Sequence, residues 1–370
     1  MTTLARRAAR KLALAVRPIR ELVRSRQLLL AERDDAVAQR KRDRMEQEGT
    51  IAERNQALKA LQAAVKQRDS LQEEMKNVRR IAQDAFDKLH NFGEGPPFVP
   101  NGHFYSPIPS LKDLERDKDR VLGHVGRSLP GIDLKEDAQF ELLKSFSEPY
   151  KALPFSEDKV EGLRYFYRNP AYGHSDAIFL NLMIRHSRPK TVIEIGSGFS
   201  SCMLLDTNEL WFGNSIECTF IEPYPELLYS LLETGDSDRI DIISVGVQEV
   251  NLARFEKLQA NDVLFVDSTH VGKFGSDVNH IIFNVLPALA SGVFVHFHDI
   301  FYPFEYPEAW IREGRAWNEA YLLRAFLQHN STFEIMMFNT FMQQFHRGFF
   351  EEHMPLCLKN SGGSIWLRKR

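Results

Sequence analysis

Acidic side chains stand at the ends of several apolar segments in the second half of this 370-residue sequence. A carboxylate in such a position can accept hydrogen bonds from both hydroxyls of a ribose, and carboxylates and imidazoles can accept protons or bind divalent ions. Two histidines accompany the acids, so the set is suited to a cofactor site beside a centre for acid–base or metal chemistry. The side chains are Glu194, Glu222, Asp267, His270, His298 and Asp299.

The first of these apolar segments, residues 191–195, runs directly into the turn Gly196-Ser197-Gly198. Glycine has no Cβ atom and lets the backbone approach a ligand closely, which predicts that a cofactor lies against this turn. A dinucleotide-binding turn follows the pattern Gly-x-Gly-x-x-Gly. Ser201 stands at the third glycine position here, which argues against an NAD-binding domain.

Apolar segments alternate with amphipathic ones from about residue 175 onward, which predicts strands separated by helices. This arrangement is typical of a parallel sheet covered on both faces, whose ligands bind at the carboxyl ends of the strands. We therefore predict an α/β fold with a doubly wound, mainly parallel, seven-stranded sheet. The last two strands lack a clear helix between them, so we expect an antiparallel hairpin. The predicted strands are residues 191–195, 218–221, 240–245, 262–266, 292–298, 333–338 and 363–367.

Residues 175–370 resemble a class I S-adenosylmethionine-dependent methyltransferase. The resemblance is carried by the Glu-x-Gly-x-Gly turn, by the acids that end the second and fourth strands, and by the terminal antiparallel pair. It implies S-adenosylmethionine as the cofactor, with the residue after the third strand approaching the adenine. Ser200 departs from the fullest family turn, where a third glycine often stands. The implied cofactor-binding residues are Glu194, Gly196, Ser197, Gly198, Glu222, Gln248 and Asp267.

A narrower resemblance is to metal-dependent sugar O-methyltransferases that act on macrolide antibiotics, and more distantly to catechol O-methyltransferase. It is carried by Asp267-x-x-His270, followed 32 residues later by Asp299. It implies methylation of a saccharide or glycosylated acceptor, with Asp267 and Asp299 as metal ligands and His270, assisted by Asp267, as the catalytic base. His298 replaces the first member of an acidic pair, and we include it among the metal ligands. Because Mg²⁺ prefers oxygen ligands and imidazole suits transition metals, Mg²⁺, Mn²⁺ and no metal remain open.

Aromatic residues interleaved with acids and arginines follow Asp299, among them Trp310, Arg315 and Trp317. Such a segment suits stacking on a sugar or another polyhydroxylated acceptor, and packing of an elaborated loop against the core is the alternative. Residues 165–174 are also aromatic and could cover the methionine end of the cofactor. His296 lies inside a predicted strand and is expected to be a core residue with satisfied hydrogen bonds.

Residues 1–95 are predicted to form a basic N-terminal helix followed by a coiled coil. Apolar residues in the second half of this region recur at alternating spacings of four and three, as a coiled-coil seam requires. We expect the helix to pair with another copy of the chain and to produce a homo-oligomer. A solitary helix or a partly disordered arm is the alternative. The seam residues are Leu71, Met75, Val78, Ala82, Ala85 and Leu89.

Residues 1–30 hold eight basic side chains against one acid. A basic amphipathic helix with this composition can contact an anionic membrane surface, while a transit peptide and a solvated helix end are the alternatives. Residues 96–160 are rich in proline and aromatic residues, which predicts an irregular connector that packs on the next domain. That domain comprises residues 161–370.

Composition excludes several classes of protein. The formal net charge of −3 does not indicate a nucleic-acid partner, and no apolar run approaches the ~20 residues that span a bilayer. Three scattered cysteines are too few for a disulfide framework or a zinc site, which predicts a reducing, cytoplasmic location. Two alternatives to methyl transfer remain. One is a non-catalytic scaffold whose coiled coil supplies the function, and the other is a hydroxylase or another enzyme built on the same sheet.

Overall fold

The computed structural model describes residues 22–39, 65–68, 71, 75–76, 78, 98–123 and 125–370. Contacts divide the chain into two compact units, Met1–Pro100 and Asn101–Arg370. The sheet lies wholly within the second unit. In the part of the chain that is described, no helix is both long enough and apolar enough to cross a membrane.

Residues 22–39 and 65–68 of the first unit are helical. The predicted seam residues Leu71, Met75 and Val78 are half-buried, and Nη1 of Arg26 lies 3.2 Å from Sδ of Met75. Residues 22–39 therefore contact the predicted seam within one chain, and pairing between copies stays a prediction. The half-buried positions of the first segment recur at spacings of four and three: Leu22, Arg26, Leu30, Arg33 and Val37. Residues 1–21 and the seam positions Ala82, Ala85 and Leu89 lie outside the described residues.

The second unit is built on one seven-stranded sheet. Its strands are β1 (Thr191–Ile195), β2 (Glu217–Ile221), β3 (Ile240–Ile243), β4 (Val263–Val266), β5 (Phe294–His298), β6 (Phe333–Phe338) and β7 (Ser364–Lys369). The order is β3-β2-β1-β4-β5-β7-β6, with β1 to β5 mutually parallel and β7 antiparallel to both β5 and β6. This confirms the predicted fold class. The chain turns back between β1 and β4, which makes that boundary the switch point of the sheet.

Helices connect the parallel strands and bury their apolar residues against the sheet. Every residue of β4 and β5 is buried, as expected for central strands covered on both faces. The helices are α1 (Leu111–Lys118), α2 (Glu136–Ser145), α3 (Ser147–Lys151), α4 (His174–Ser187), α5 (Phe199–Phe212), α6 (Glu226–Leu231), α7 (Ala253–Glu256), α8 (Asp277–His280), α9 (Leu286–Ala288), α10 (Glu308–Arg312), α11 (Glu319–Leu327), α12 (Asn339–Phe345) and α13 (Arg347–His353). A π-helical stretch, Ile281–Val285, joins α8 to α9.

The predicted hairpin of the last two strands is correct in its pairing and wrong in its connection. β6 and β7 are adjacent and antiparallel, but α12, α13 and the 3₁₀ helix Pro355–Leu358 lie between them along the chain. The aromatic and methionine side chains Phe341, Met342 and Phe350 are fully buried there. This segment folds as helices because it has apolar side chains to place in the core, which a simple hairpin loop would leave exposed.

The connector predicted as irregular also contains helices. Between residues 98 and 160 the chain forms α1, α2 and α3, and a π-helical turn, Asp119–Gly123, extends α1. Leu143 and Phe146 are buried in the same core as the sheet, so the expected packing on the following residues is present.

A buried ion cluster ties the segment before α4 to α5. The guanidinium of Arg164 donates to Asp206 at 2.8 Å and to Asp236 at 2.6 Å, and all three side chains are almost completely buried. The backbone N–H groups of Arg164 and Tyr165 donate to the same Asp206 carboxylate. Because buried charges are costly unless they are paired, the guanidinium is required to balance the two carboxylates.

We expect Arg164→Ala to lower the free energy of unfolding by about 3–5 kcal/mol, because Asp206 would keep its buried charge without a cationic partner and Asp236 would retain only Arg239. Urea denaturation followed by tryptophan fluorescence measures this, since all four tryptophans lie within residues 101–370. The matched control is Arg168→Ala, which removes an exposed pair with Asp158 and should change stability little. Equal effects of the two substitutions would contradict the assignment.

Candidate active site

The switch point of the sheet brings the turn after β1 against the end of β4. The N–H of Gly196 donates to the carbonyl of Ile221, and the N–H of Asp267 donates to the carbonyl of Ile195. Gly196 has φ +84°, and a Cβ atom there would lie 1.9 Å from the carbonyl oxygen of Asp267. Only glycine satisfies both the left-handed backbone and this close approach.

Glu194 lies beneath the turn rather than facing outward from it. Its side chain is buried at 1% exposure, and it accepts a hydrogen bond of 2.5 Å from Oγ of Ser200. Burial raises the pKa of this carboxyl to about 8, so its neutral form predominates near pH 7. The second carboxyl oxygen of Glu194 and Oγ of Ser197 have no hydrogen-bond partner among the described residues.

Glu222 is held at the rim of the turn by backbone amides. Its carboxylate accepts hydrogen bonds from the N–H of Ser197 at 3.2 Å and from the N–H of Tyr224 at 2.9 Å. The carboxylate is therefore fixed beside the glycine turn before any ligand binds. Ser201, at the position where an NAD-binding turn has glycine, accepts a hydrogen bond from the N–H of Gly198 and closes the start of α5.

Gln248 lies in the 3₁₀ helix Val247–Glu249, after β3, and is exposed. Its side-chain amide donates to the carbonyl of Gly275 at 3.0 Å. The residue predicted to approach the adenine thus stands between the end of β3 and the loop that follows His270.

The predicted metal ligands Asp267, His298 and Asp299 meet in one cluster. Each offers a ligand atom, and these atoms lie within 4.8 Å of one another. Nδ1 of His298 is 3.2 Å from Oδ1 of Asp267 and 3.7 Å from Oδ2 of Asp299. Burial opposes ionisation of Asp267, but the neighbouring imidazoles of His298 and His270 hold its pKa well below the ordinary value.

His270 lies in the loop after β4 and faces the same carboxylates. Its Nε2 atom is 3.3 Å from Oδ1 of Asp267 and 3.6 Å from Oδ2 of Asp299. Burial alone would lower the pKa of this imidazole, but hydrogen bonds to Asp267 and Glu319 raise it to about 10. A divalent cation bound by the two aspartates would oppose that effect, because its charge would replace the proton as the partner of the carboxylates.

Glu319 is a site residue that the sequence analysis missed. It is the first residue of α11, is buried at 1% exposure, and its Oε2 atom lies 2.8 Å from Nδ1 of His270. The carbonyl of His270 in turn accepts hydrogen bonds from the N–H groups of Asn318 and Glu319. Helix α11 therefore fixes both the ring and the backbone of His270, which has a left-handed φ of +59°.

Asp176 is the second residue that the sequence analysis missed. Its Oδ2 atom lies 3.4 Å from Nε2 of His298, on the side of the ring opposite the cluster. The carboxylate also accepts a hydrogen bond from the N–H of Gly363 at 3.1 Å and one from Oγ of Ser364 at 2.7 Å. Gly362 has φ +64°, and a Cβ atom there would lie 2.4 Å from the Asp176 oxygens, so this glycine turn leaves the space that Asp176 occupies.

The aromatic segment after Asp299 divides into a buried and a partly exposed part. Phe304 and Tyr306 belong to the core. Trp310 and Trp317 are partly exposed, and the guanidinium of Arg315 lies 4.4 Å and 4.9 Å from the centres of their rings. The ring of Trp317 is 4.4 Å from that of His270, which places this aromatic pair next to the acid cluster. Core packing therefore holds for Phe304 and Tyr306, while stacking of Trp310 and Trp317 on an acceptor stays a prediction.

Residues 165–174 place most of their aromatic side chains in the core. Tyr165, Tyr167, Tyr172 and His174 are all buried, and the hydroxyl of Tyr165 donates to the carbonyl of Tyr172 at 2.8 Å. Their bulky rings fill the core in front of α4, and a role of this segment as a cover for the cofactor stays a prediction.

His296 is a core residue, as predicted, but its hydrogen bonds are not satisfied. It is fully buried and stacks on Phe265 at 4.1 Å. Neither ring nitrogen has a hydrogen-bond partner among the described residues. Burial holds its pKa well below the ordinary value and keeps the ring neutral.

The chain is similar to known proteins in sequence and in fold. Residues 193–300 match the family model of a methyltransferase domain. An uncharacterized protein of Archaeoglobus fulgidus is 34% identical over 167 residues, which cover 44% of this chain and 74% of that protein. Two solved structures, an S-adenosylhomocysteine-bound methyltransferase of Podospora anserina and an O-methyltransferase of Streptomyces achromogenes involved in tomaymycin synthesis, are each 15% identical with a TM-score of 0.36. The matches cover 69% and 70% of this chain and 96% of each of those chains.

The matched residues begin in β1, include the glycine turn and end just after β5, so they contain the acid cluster and most of the cofactor-side residues described above. They lie in a sheet with five parallel strands and an antiparallel terminal pair. The chain belongs to the class I S-adenosylmethionine-dependent methyltransferases.

Proposed function

We propose that this chain transfers the methyl group of S-adenosylmethionine to a hydroxyl oxygen of a saccharide or glycosylated acceptor. His270 is the base in this proposal, and Asp267, His298 and Asp299 hold a divalent cation. The observation that carries the proposal is the position of His270, whose Nε2 atom lies within 3.6 Å of both aspartates at the end of the strand next to the glycine turn.

The residues around the turn fit the cofactor. Gly196 lets the turn after β1 close against the end of β4, and the carboxylate of Glu222 is held beside this turn, where ribose hydroxyls can donate to it. Unpaired polar atoms of Glu194 and Ser197 lie at the same turn. The cofactor supplies a methyl group on a positively charged sulfur, and the chain has to align the acceptor oxygen with it.

The second group of residues fits activation of a hydroxyl. A sugar hydroxyl is a poor nucleophile near pH 7 until its proton is removed, and a positioned imidazole can accept that proton. Glu319 accepts a hydrogen bond from Nδ1–H of His270, and in the neutral ring that a bound cation would favour, the Nε2 lone pair is directed at the acid cluster. A divalent cation held by the two aspartates and His298 would lower the pKa of a nearby hydroxyl.

The acceptor class rests on Trp310, Trp317 and Arg315. Aromatic faces pack against the apolar faces of sugar rings, while a guanidinium can donate to their hydroxyls. Trp317 lies beside His270, Arg315 lies over both tryptophan rings, and all three side chains remain partly exposed or exposed, so an acceptor could reach them.

The proposed cofactor site is tested by Glu222→Ala. We expect affinity for S-adenosylmethionine, measured by isothermal titration calorimetry, to fall about 10–100-fold, since hydrogen bonds to a charged group contribute about 1.5–3 kcal/mol. Glu217→Ala is the matched control, because Glu217 is an exposed acid at the opposite end of the same strand. Unchanged affinity in the Glu222 variant would place the ribose elsewhere. Absence of binding by the unaltered chain at millimolar cofactor would favour the scaffold alternative.

The proposed base is tested by His270→Ala in an assay of methyl transfer from radiolabelled S-adenosylmethionine to a panel of saccharides and glycosylated acceptors. Loss of general base catalysis should reduce turnover by about 10²–10⁴-fold and leave cofactor affinity nearly unchanged. Glu319→Gln should give a smaller loss in the same direction. His353→Ala, at a partly exposed histidine of α13, serves as the control. Survival of turnover in the His270 variant would show that the base has been misassigned.

For the N-terminal region we propose self-association through the coiled coil and contact of the basic residues 1–30 with an anionic membrane surface. The support is the seam spacing of the apolar residues and the eight basic side chains of residues 1–30. The observed contact between Arg26 and Met75 shows that the same faces also pair within one chain.

Deletion of residues 1–100 tests this role, since the unit boundary lies at Pro100. By multi-angle light scattering, the full chain should exceed the 42.7 kDa of one copy, while the truncated chain should have the mass of a single copy. Only the full chain should co-sediment with vesicles that contain anionic lipid. A full chain with the mass of one copy would limit helix pairing to the interior of the chain, and an oligomer that persists after truncation would place the interface in residues 101–370.

A further inference from the structure

Among the three residues of the proposed cation centre, His298 offers a nitrogen atom, whereas Asp267 and Asp299 offer oxygen atoms. It is the last residue of β5, is buried at 6% exposure, and directs Nδ1 toward Asp267 and Asp299 at 3.2 Å and 3.7 Å. Atoms that bind one ion at about 2.1 Å lie about 3–3.5 Å apart, so these spacings are close to those of a coordination shell. An imidazole in this place favours ions that accept nitrogen ligands.

The opposite nitrogen of the same ring has a fixed partner. Nε2 of His298 lies 3.4 Å from Oδ2 of Asp176, and that carboxylate is held by the N–H of Gly363 and the hydroxyl of Ser364. Because a carboxylate only accepts, each ring nitrogen has an acceptor in front of it; with a cation in the cluster, Nδ1 would give its lone pair to the ion while Nε2 would keep its proton toward Asp176. A ligating histidine usually donates its other N–H to such a carboxylate, which fixes the tautomer and increases ligand basicity.

We propose that the cation of this centre is a first-row transition metal ion rather than Mg²⁺, with Asp267, His298 and Asp299 as its protein ligands and Asp176 as the residue that positions His298. The inference rests on the proposed cation centre and adds the class of ion and the role of Asp176. Mg²⁺ demands oxygen ligands, and an all-oxygen set would need a different residue at position 298.

The test measures metal binding by the full chain without cofactor or acceptor. After chelator treatment, Co²⁺ affinity is followed by its visible absorption and by equilibrium dialysis, and Mg²⁺ affinity by dialysis alone. We expect Asp176→Asn to weaken Co²⁺ binding about 10–100-fold, the range found for lost partners of ligating histidines. Asp158→Asn, an exposed acid, is the control and should change nothing. We expect His298→Asp to reduce the ratio of Co²⁺ to Mg²⁺ affinity at least tenfold, because the site then has oxygen ligands only.

His298→Asn replaces the ring with a neutral side chain that offers an oxygen, and it should reduce the ratio as well if the aspartate variant fails to fold. Circular dichroism shows which variants are folded. An unchanged ratio in both His298 variants, or unchanged Co²⁺ affinity in Asp176→Asn, would overturn the inference. Failure of the unaltered chain to bind Co²⁺ would remove the cation centre altogether, whereas binding of S-adenosylmethionine in the presence of chelator is measured separately and reports on the methyltransferase proposal alone.

Discussion

The close contact between Gly196 and the backbone of Asp267 is the constraint on which the site depends. A Cβ atom at position 196 would lie 1.9 Å from the Asp267 carbonyl oxygen, so the turn after β1 and the end of β4 can meet only through glycine. The amide that follows this glycine, the N–H of Ser197, holds Glu222 on one side. The side chain of Asp267 contacts His298 and His270 on the other. The backbone contact between Gly196 and Asp267 therefore fixes the distance between the glycine turn and the acid cluster. In-line transfer of a methyl group requires this distance to be fixed, because the acceptor oxygen has to be aligned with the methyl carbon.

The two histidines of the cluster are supported in the same way from different parts of the chain. His270 uses Nδ1 to contact Glu319 and presents Nε2 to the aspartates, whereas His298 uses Nε2 to contact Asp176 and presents Nδ1. Each supporting carboxylate is buried. Carboxylates in such a place are stable only when their charge is balanced, and the imidazoles alone face an excess of negative charge. This excess is the physical reason that a cation suits the centre.

The sequence was sufficient to predict the strands and the acids that end them, because parallel strands direct their carboxyl ends to one edge of the sheet. Glu222, Asp267 and Asp299 meet there for that reason alone. Asp176 and Glu319 could not be predicted in the same way. Both are acids in the first turn of a helix, where an acidic side chain is common because it interacts favourably with the helix dipole. Their inward orientation depends on distant packing, which places Gly362 and Gly363 against Asp176 and the loop after β4 against α11.

His296 and His298 show why the site lies at the strand ends and not within the sheet. They are two residues apart on β5, with ring centres 6.3 Å apart. His296 stacks on Phe265, and burial keeps its pKa well below the ordinary value. Burial acts in the same direction on His298, but Asp299, Asp267 and Asp176 outweigh it and raise the pKa well above the ordinary value. A charge within the sheet would have apolar neighbours on both faces and no partner, whereas at the last residue of a strand the neighbouring loops and helices can supply carboxylates. A histidine is therefore a packing residue at position 296 and a candidate ligand at position 298, because only position 298 lies at the end of the strand.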